Sequence, residues 1–158
     1  MNGPACHPLA ATDLAAASRL HGAAFAPFGE RGWTRPELEE LYVSPGVGGV
    51  VLAGAAGMIG FALYRVAADE AELLTIAVDA GQRRHGGGRA LLEATIDRVG
   101  NAGARSLFLE VAADNPAATA LYRQKDFAVV GRRAGYYERG TNTKADALVM
   151  RLEIRPAE

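Results

Sequence analysis

Cysteine is nearly absent from this sequence. Cys6 is the only one in 158 residues, so no intrachain disulfide can form and nothing points to an oxidising compartment. Histidine is scarce too: His7, His21 and His85 stand far apart without metal-ligand spacing, and no metal is expected. No run approaches the ~20 apolar residues that a membrane span needs. The start of the chain, broken by His7, Asp13 and Arg19, lacks the apolar stretch of a signal peptide. A cytoplasmic protein, away from membranes, is therefore expected. Neither sign of charge is in surplus, with 17 basic against 18 acidic residues. That argues against nucleic-acid binding through a strong positive field.

What is present suits a globular protein. The apolar fraction is 49%, too high for a disordered chain. A chain of this length removes roughly 70% of its unfolded surface from water on folding, so one domain over residues 1–158 is expected. Ala5 to Pro8 reads as an edge strand, because Pro8 would interrupt a central one. Thr12 and Asp13 are N-cap candidates for a helix from Leu14 to Phe25, with Leu14, Ala17, Leu20, His21, Ala24 and Phe25 on one face. Thr34-Arg35-Pro36-Glu37 carries a capping-box spacing and starts a short helix running to about Leu41.

Gly46 to Gly49 reads as a loop, followed by a hairpin of Val50–Ala53 and Met58–Val66. Ala71 to Val78 is a further strand, and a polar, glycine-rich loop leads to a helix over Arg89–Val99. Ser106 to Val111 alternates, setting Glu110 and Phe108 opposite Leu107, Leu109 and Val111. Asn115 can cap a helix that starts at Pro116 and runs to about Lys125. Strands Phe127–Arg132 and Ala145–Glu153, joined by a polar loop, complete the order β-α-α-β-β-β-α-β-α-β-β.

Three constellations can carry chemistry. Arg84, His85, Gly86, Gly87, Gly88 and Arg89 lie between a strand and a helix. Glycines permit close approach there, and the first amides of the helix with its dipole favour a pyrophosphate; the same stretch also fits a plain turn. It lacks the Lys-Ser/Thr of a P-loop and the GxGxxG spacing. Glu110 is a carboxylate in an otherwise apolar strand, either solvent-facing or a placed base. Asn115 and Tyr122, seven residues apart, share a helix face, with Tyr122 either a packed aromatic or a proton donor. His85 is read as a solvated side chain beside an anion, not as a catalytic group.

Order and spacing together make the stretch from about Glu72 to Leu152 resemble the GNAT acetyltransferase superfamily. The motifs are Ile76-Ala77-Val78, then Arg-x-x-Gly-x-Gly, then Leu-Glu-Val, then Asn-Pro-Ala-Ala-x-Ala-Leu-Tyr and Phe127. Within it, AELLTIAVD at Ala71, LFLEVAADNPAATALY at Leu107 and RRAGYYERGTNTKADALVMRL at Arg132 resemble the RimI-type ribosomal-protein alanine N-acetyltransferases. The chain departs from that pattern at Ala80, at Ala112, where an arginine often stands, and at Asp126, where glycine usually ends the helix.

The resemblance implies an α/β fold of three layers, with a mixed, mostly antiparallel sheet whose central strands, around Leu74 and Leu109, splay to admit acetyl-CoA. Backbone groups of Ile76, Ala77 and Val78 would hold the pantetheine arm, residues Arg84 to Arg89 the pyrophosphate, and Asn115 would contact the co-substrate. Glu110 would be the general base and Tyr122 the general acid. Tyr136 and Tyr137, which otherwise simply pack, would wall the acceptor groove. The implied acceptor is a protein N-terminus, that of a ribosomal protein beginning with alanine. A lysine side chain or small amine as acceptor, and an acyl-CoA sensor without turnover, stay open as alternatives; the presence of both Glu110 and Tyr122 weighs against the sensor.

Overall fold

The helix caps and strand patterns form in the order given by the sequence in the computed structural model, which describes residues 4–83, 85–140 and 142–156. The first half contains β1 (Ala5–Pro8), α1 (Leu14–Phe25), α2 (Arg35–Tyr42), β2 (Val47–Gly54), β3 (Gly57–Ala67) and β4 (Glu70–Val78). The second contains α3 (Gly87–Asn101), β5 (Ser106–Ala112), α4 (Pro116–Gln124), β6 (Ala128–Glu138) and β7 (Lys144–Glu153). Short 3₁₀ turns flank α1 and precede α3.

Local chemistry accounts for the helix ends. At α2 the Thr34 hydroxyl accepts from the Glu37 amide at 3.3 Å while the Thr34 amide donates to the Glu37 carboxylate at 3.1 Å, closing the capping box. Asn115 Oδ1 accepts from the Ala118 amide at 3.2 Å, and Pro116 follows as the first residue of α4. Such caps each stabilise by about 0.5–2 kcal/mol. Asp13 departs from expectation: it precedes α1, but its carboxylate accepts from the Ala10 amide at 2.8 Å instead of capping the helix.

The strands form one sheet in the order β1-β2-β3-β4-β5-β7-β6. Every neighbouring pair is antiparallel except β4 and β5. Those two pair only at Glu70–Ser106, Ala71–Leu107 and Glu72–Phe108, and then diverge. The cause lies on the other edge of β4. Against β3, Leu63 pairs with Thr75 and Tyr64 with Leu73, so Leu74 has no partner and forms a bulge, which bends a strand and reverses the faces of the residues after it. Before the bulge Ala71 and Leu73 pack against α3; after it Ile76 and Val78 do so. Thr75 and Ala77 point the other way, to the α1 side.

Two cores cover the faces. Leu91, Leu92 and Val99 of α3 and Tyr122 of α4 pack with Leu107, Leu109 and Val111. On the opposite face Leu14, Ala17 and Ala24 of α1 and Leu38 of α2 pack with Val51, Phe61 and Leu63.

Several boundaries differ from the sequence expectation by a residue or two, and three of the differences have a bearing on packing or on the site. β2 begins at Val47, so Gly48 and Gly49 are strand and not loop. A Cβ on Gly48 would lie 2.7 Å from the Tyr64 hydroxyl, and one on Gly49 would lie 2.8 Å from the Ala62 carbonyl oxygen. Glycine serves close packing there, which local pattern does not reveal. α3 starts two residues early, at Gly87. β6 runs on to Glu138 and therefore carries Tyr136 and Tyr137, which the sequence placed in the connecting loop. Its pairing shifts register between Arg133 and Tyr137. Asp146 pins that irregularity, accepting from the Gly135 amide at 2.8 Å and from Arg132 Nε at 2.6 Å.

Candidate active site

Where β4 and β5 part, a cavity of about 410 Å³ opens, walled by α1, the loop after it, β4, β5, α4 and the end of β6. It brings together six of the residues singled out by sequence: Ile76, Glu110, Asn115, Tyr122, Tyr136 and Tyr137. Ala77, Val78, His85, Gly86, Gly87, Gly88 and Arg89 are not among its lining residues; they belong to the end of β4 and the start of α3. Arg84 lies outside the described residues.

Strand alternation delivers Glu110. Leu109 and Val111 enter the core beneath α3 and α4, so Glu110 between them faces the α1 side. Its carboxylate meets Arg133 Nη2 at 3.0 Å, with the two side chains 27% and 56% exposed. A pair so open to solvent is worth only ~0–1 kcal/mol, so an incoming cation can displace Arg133.

Tyr122 arrives from the other layer. It is 5% exposed and lies against Phe127, the ring centres 5.7 Å apart. Its hydroxyl has no hydrogen-bond partner among the described residues. Buried side-chain oxygens and nitrogens there all have partners, so this hydroxyl is open to the cavity it lines. Burial pushes the phenol's pKa well above its ordinary value, and Tyr122 stays protonated at neutral pH.

Tyr136 and Tyr137 meet edge to face at 5.1 Å. Tyr136 is 51% exposed with the Arg133 guanidinium 5.3 Å from its ring centre. Tyr137 is half-buried, and burial, followed by the negative fields of Glu30 and Glu110, pushes its pKa up to about 12. Sequence reasoning missed the charged group around it. Arg139 grips Asp114 with two hydrogen bonds, of 2.9 and 3.2 Å, and lies 5.2 Å from the Tyr137 ring centre. Its hydrogen bonds hold the Asp114 carboxyl below the usual range. Glu30 also lines the cavity, and burial raises its carboxyl. Glu30 belongs to no recognisable motif, and Arg139, two residues beyond the Tyr-Tyr pair in the stretch that starts at Arg132, carries no signal of its own; only nearness to that pair and the proline-glycine break after α1 hinted at a site.

His21, read from sequence as a core residue, is both core and wall. It is 4% exposed, stacked at 4.8 Å on Trp33, and borders the cavity. Its Nδ1 accepts from the Trp33 amide at 3.0 Å and its Nε2 lies 3.1 Å from the Thr75 hydroxyl.

The remaining features suit an extended ligand ending in phosphates. Beyond Glu72 the edge of β4 facing β5 has no ladder partner, the arrangement that lets an amide-bearing chain add as a further strand. α3 begins after Gly86, at φ +79°, so its first amides are without intrahelical partners. Arg89 at this end pairs along the helix with Glu93 at 3.0 Å, while His85 is exposed. Asn115 spends its oxygen on the α4 cap, leaving its amide nitrogen for the cavity. Among the described residues no cluster of His, Cys, Asp and Glu could hold a metal ion, and no helix is long and apolar enough to cross a membrane.

The model of the acetyltransferase (GNAT) family matches residues 19–127. The [ribosomal protein bS18]-alanine N-acetyltransferase of Escherichia coli K12 is 45% identical over 97 residues, covering 61% of this chain and 65% of that protein. N-alpha-acetyltransferase RimI of Mycobacterium tuberculosis is 39% identical over 112 residues, 71% of this chain and 65% of its own length. The chain thus spans about two thirds of these curated relatives. The crystal structure of the ribosomal-protein-S18-alanine N-acetyltransferase from Escherichia coli superposes with a TM-score of 0.88 at 35% identity, over 98% of this chain and 96% of that one.

Proposed function

Because the chain belongs to the acetyltransferase (GNAT) family, we propose that it transfers the acetyl group of acetyl-CoA to the N-terminal α-amine of a protein. The proposed acceptor is a ribosomal protein beginning with alanine, the substrate class for which its Escherichia coli relative is named. The observation that carries the reading is the gap between β4 and β5, where Glu110 from one face and Tyr122 from the other line one cavity.

Bound acetyl-CoA supplies an acetyl thioester, whose carbonyl carbon the amine attacks. The free edge of β4 at Ile76, Ala77 and Val78 suits the pantetheine arm, and the first amides of α3 at Gly87 and Gly88 suit the pyrophosphate. Arg84, His85, Gly86 and Arg89 belong to the same proposed cradle, with Asn115 touching the co-substrate from α4.

An α-amine has a pKa near ~8, so only about a tenth is free at pH 7. Glu110, released from Arg133 by the arriving ammonium, takes the proton directly or through a water. Tyr122, buried and protonated, donates its hydroxyl proton to the departing sulfur. No covalent enzyme intermediate is needed, and Cys6, placed on β1 with its sulfur toward the Ala90 carbonyl, takes no part.

Incubation of the protein with acetyl-CoA and a peptide panel, read by mass spectrometry, tests the reading. Acetylation of free α-amines on Ala-starting peptides, with N-terminally blocked lysine peptides and polyamines unmodified, is expected. Modification of lysines or polyamines alone would move the acceptor class, and acetyl-CoA binding without transfer would point to a sensor.

A further inference from the structure

The hydrogen inventory around His21 leaves one proton without a receiver. The Trp33 backbone amide can only donate, so His21 Nδ1, 3.0 Å away, must be the unprotonated nitrogen. The proton of the neutral ring therefore sits on Nε2 and is donated to Thr75 Oγ1 at 3.1 Å. Thr75 accepts at its oxygen and must direct its own O–H elsewhere, and no acceptor among the described residues takes it. Thr75 is only 8% exposed, and its surface borders the cavity. The receiver must therefore come from whatever occupies the cavity, water in the free protein or a ligand in the complex, and such a ligand must offer a lone pair, as a carbonyl does.

Face parity says which ligand. The bulge at Leu74 turns Thr75 toward α1, the face that Glu110 also presents, while Ile76 and Val78 turn toward α3. The amine to be deprotonated must meet Glu110, so its own residue lies on the Thr75 side. We propose that the Thr75 hydroxyl binds the carbonyl oxygen of the acceptor's first residue, and that His21 is the positioning residue that aims it. This deepens the function proposed above and rests on it. The contact fixes the amine at one bond angle from a held carbonyl, favouring the N-terminus of a peptide over a lysine side chain, which has no carbonyl at that distance from its nitrogen.

The test compares an Ala-starting peptide with its trans-alkene isostere, in which the first peptide bond keeps its shape but loses the carbonyl oxygen together with the amide N–H, so that the Thr75 dependence of the difference isolates the oxygen. For the unaltered protein the isostere's KM should be about tenfold higher, the worth of one hydrogen bond. Thr75→Val should raise the KM of the peptide to that of the isostere, with the KM for acetyl-CoA and kcat unchanged, and Thr75→Ser should restore the difference. His21→Phe should also shrink the ratio between the two acceptors, whereas a merely structural role would raise both alike. Equal KM values for the two acceptors in the unaltered protein would overturn the proposal, and that comparison requires no variant to fold. A Thr75→Val effect on acetyl-CoA KM would overturn it too, by assigning the hydroxyl to the thioester carbonyl. If no α-amine is acetylated at all, the function proposed above falls together with this inference.

Discussion

His21 illustrates how burial sets the chemistry of a single residue. Enclosure among Phe25, Trp33 and Phe61 holds its pKa down at about 4, against a smaller upward pull from Glu37. The unfolded chain binds a proton at this ring below about 6.5, the folded protein only below about 4. Stability contributed by the neutral ring is therefore complete above pH 6.5, is lost as pH falls from there to 4, and changes no further below. Urea midpoints measured between pH 4 and 7 should rise with pH, and His21→Phe should flatten that part of the curve. An unchanged slope in the variant would assign the dependence to other groups. At this scale Glu110, Asn115 and Tyr122 were legible because each stands in a short local motif. Thr75, Glu30 and Arg139 were not, because what matters about each is a partner or a cavity reached only through the tertiary fold.

Among the elements, the loop between α1 and α2 depends on one contact between glycines. A Cβ on Gly32 would lie 2.3 Å from the Gly22 Cα and 2.7 Å from its nitrogen, whereas one on Gly22 would meet nothing within 4 Å, so the loop can cross α1 only where residue 32 has no side chain. Gly32→Ala should destabilise the protein by about 1–3 kcal/mol, the usual cost of forced overpacking. Because the loop also carries Trp33 and Glu30 to the cavity, the acceptor KM should rise as well; thermal melts and steady-state kinetics check the two effects. A variant with unaltered Tm would mean that the crossing relaxes freely. The helix boundaries set by Thr34 and Asn115 were readable since capping is local. So was the left-handed residue at the end of α4, where Asp126 stands at φ 71°. The start of β2 was not, because Gly48 and Gly49 answer to Tyr64 and Ala62 across the sheet. The length of β6 was hidden for a similar reason: it is Asp146, on the neighbouring strand, that holds the register shift together.

For the molecule as a whole, one missing stretch of ladder organises the site. The sheet is continuous from β1 to β6 except where β4 leaves β5 after Glu72. That gap lets a group on the α3 side of the sheet, Tyr122, and one on the α1 side, Glu110, line a common space. The resemblance carried in the sequence led to a splay at these strands; the bulge that produces it became visible only from the β3–β4 register. The proposed division of labour uses this geometry: the edge of β4 and the start of α3 for the co-substrate, the α1 face for the acceptor, and two proton-carrying groups between them. The most direct test is kcat for an Ala-starting peptide in Glu110→Gln and Tyr122→Phe, alongside the acetyl-CoA Kd of each variant. The account predicts kcat lower by about 10²–10⁴-fold with Kd nearly unchanged. Weakened acetyl-CoA binding at undiminished kcat would contradict it, showing that these residues hold the co-substrate and do not move protons.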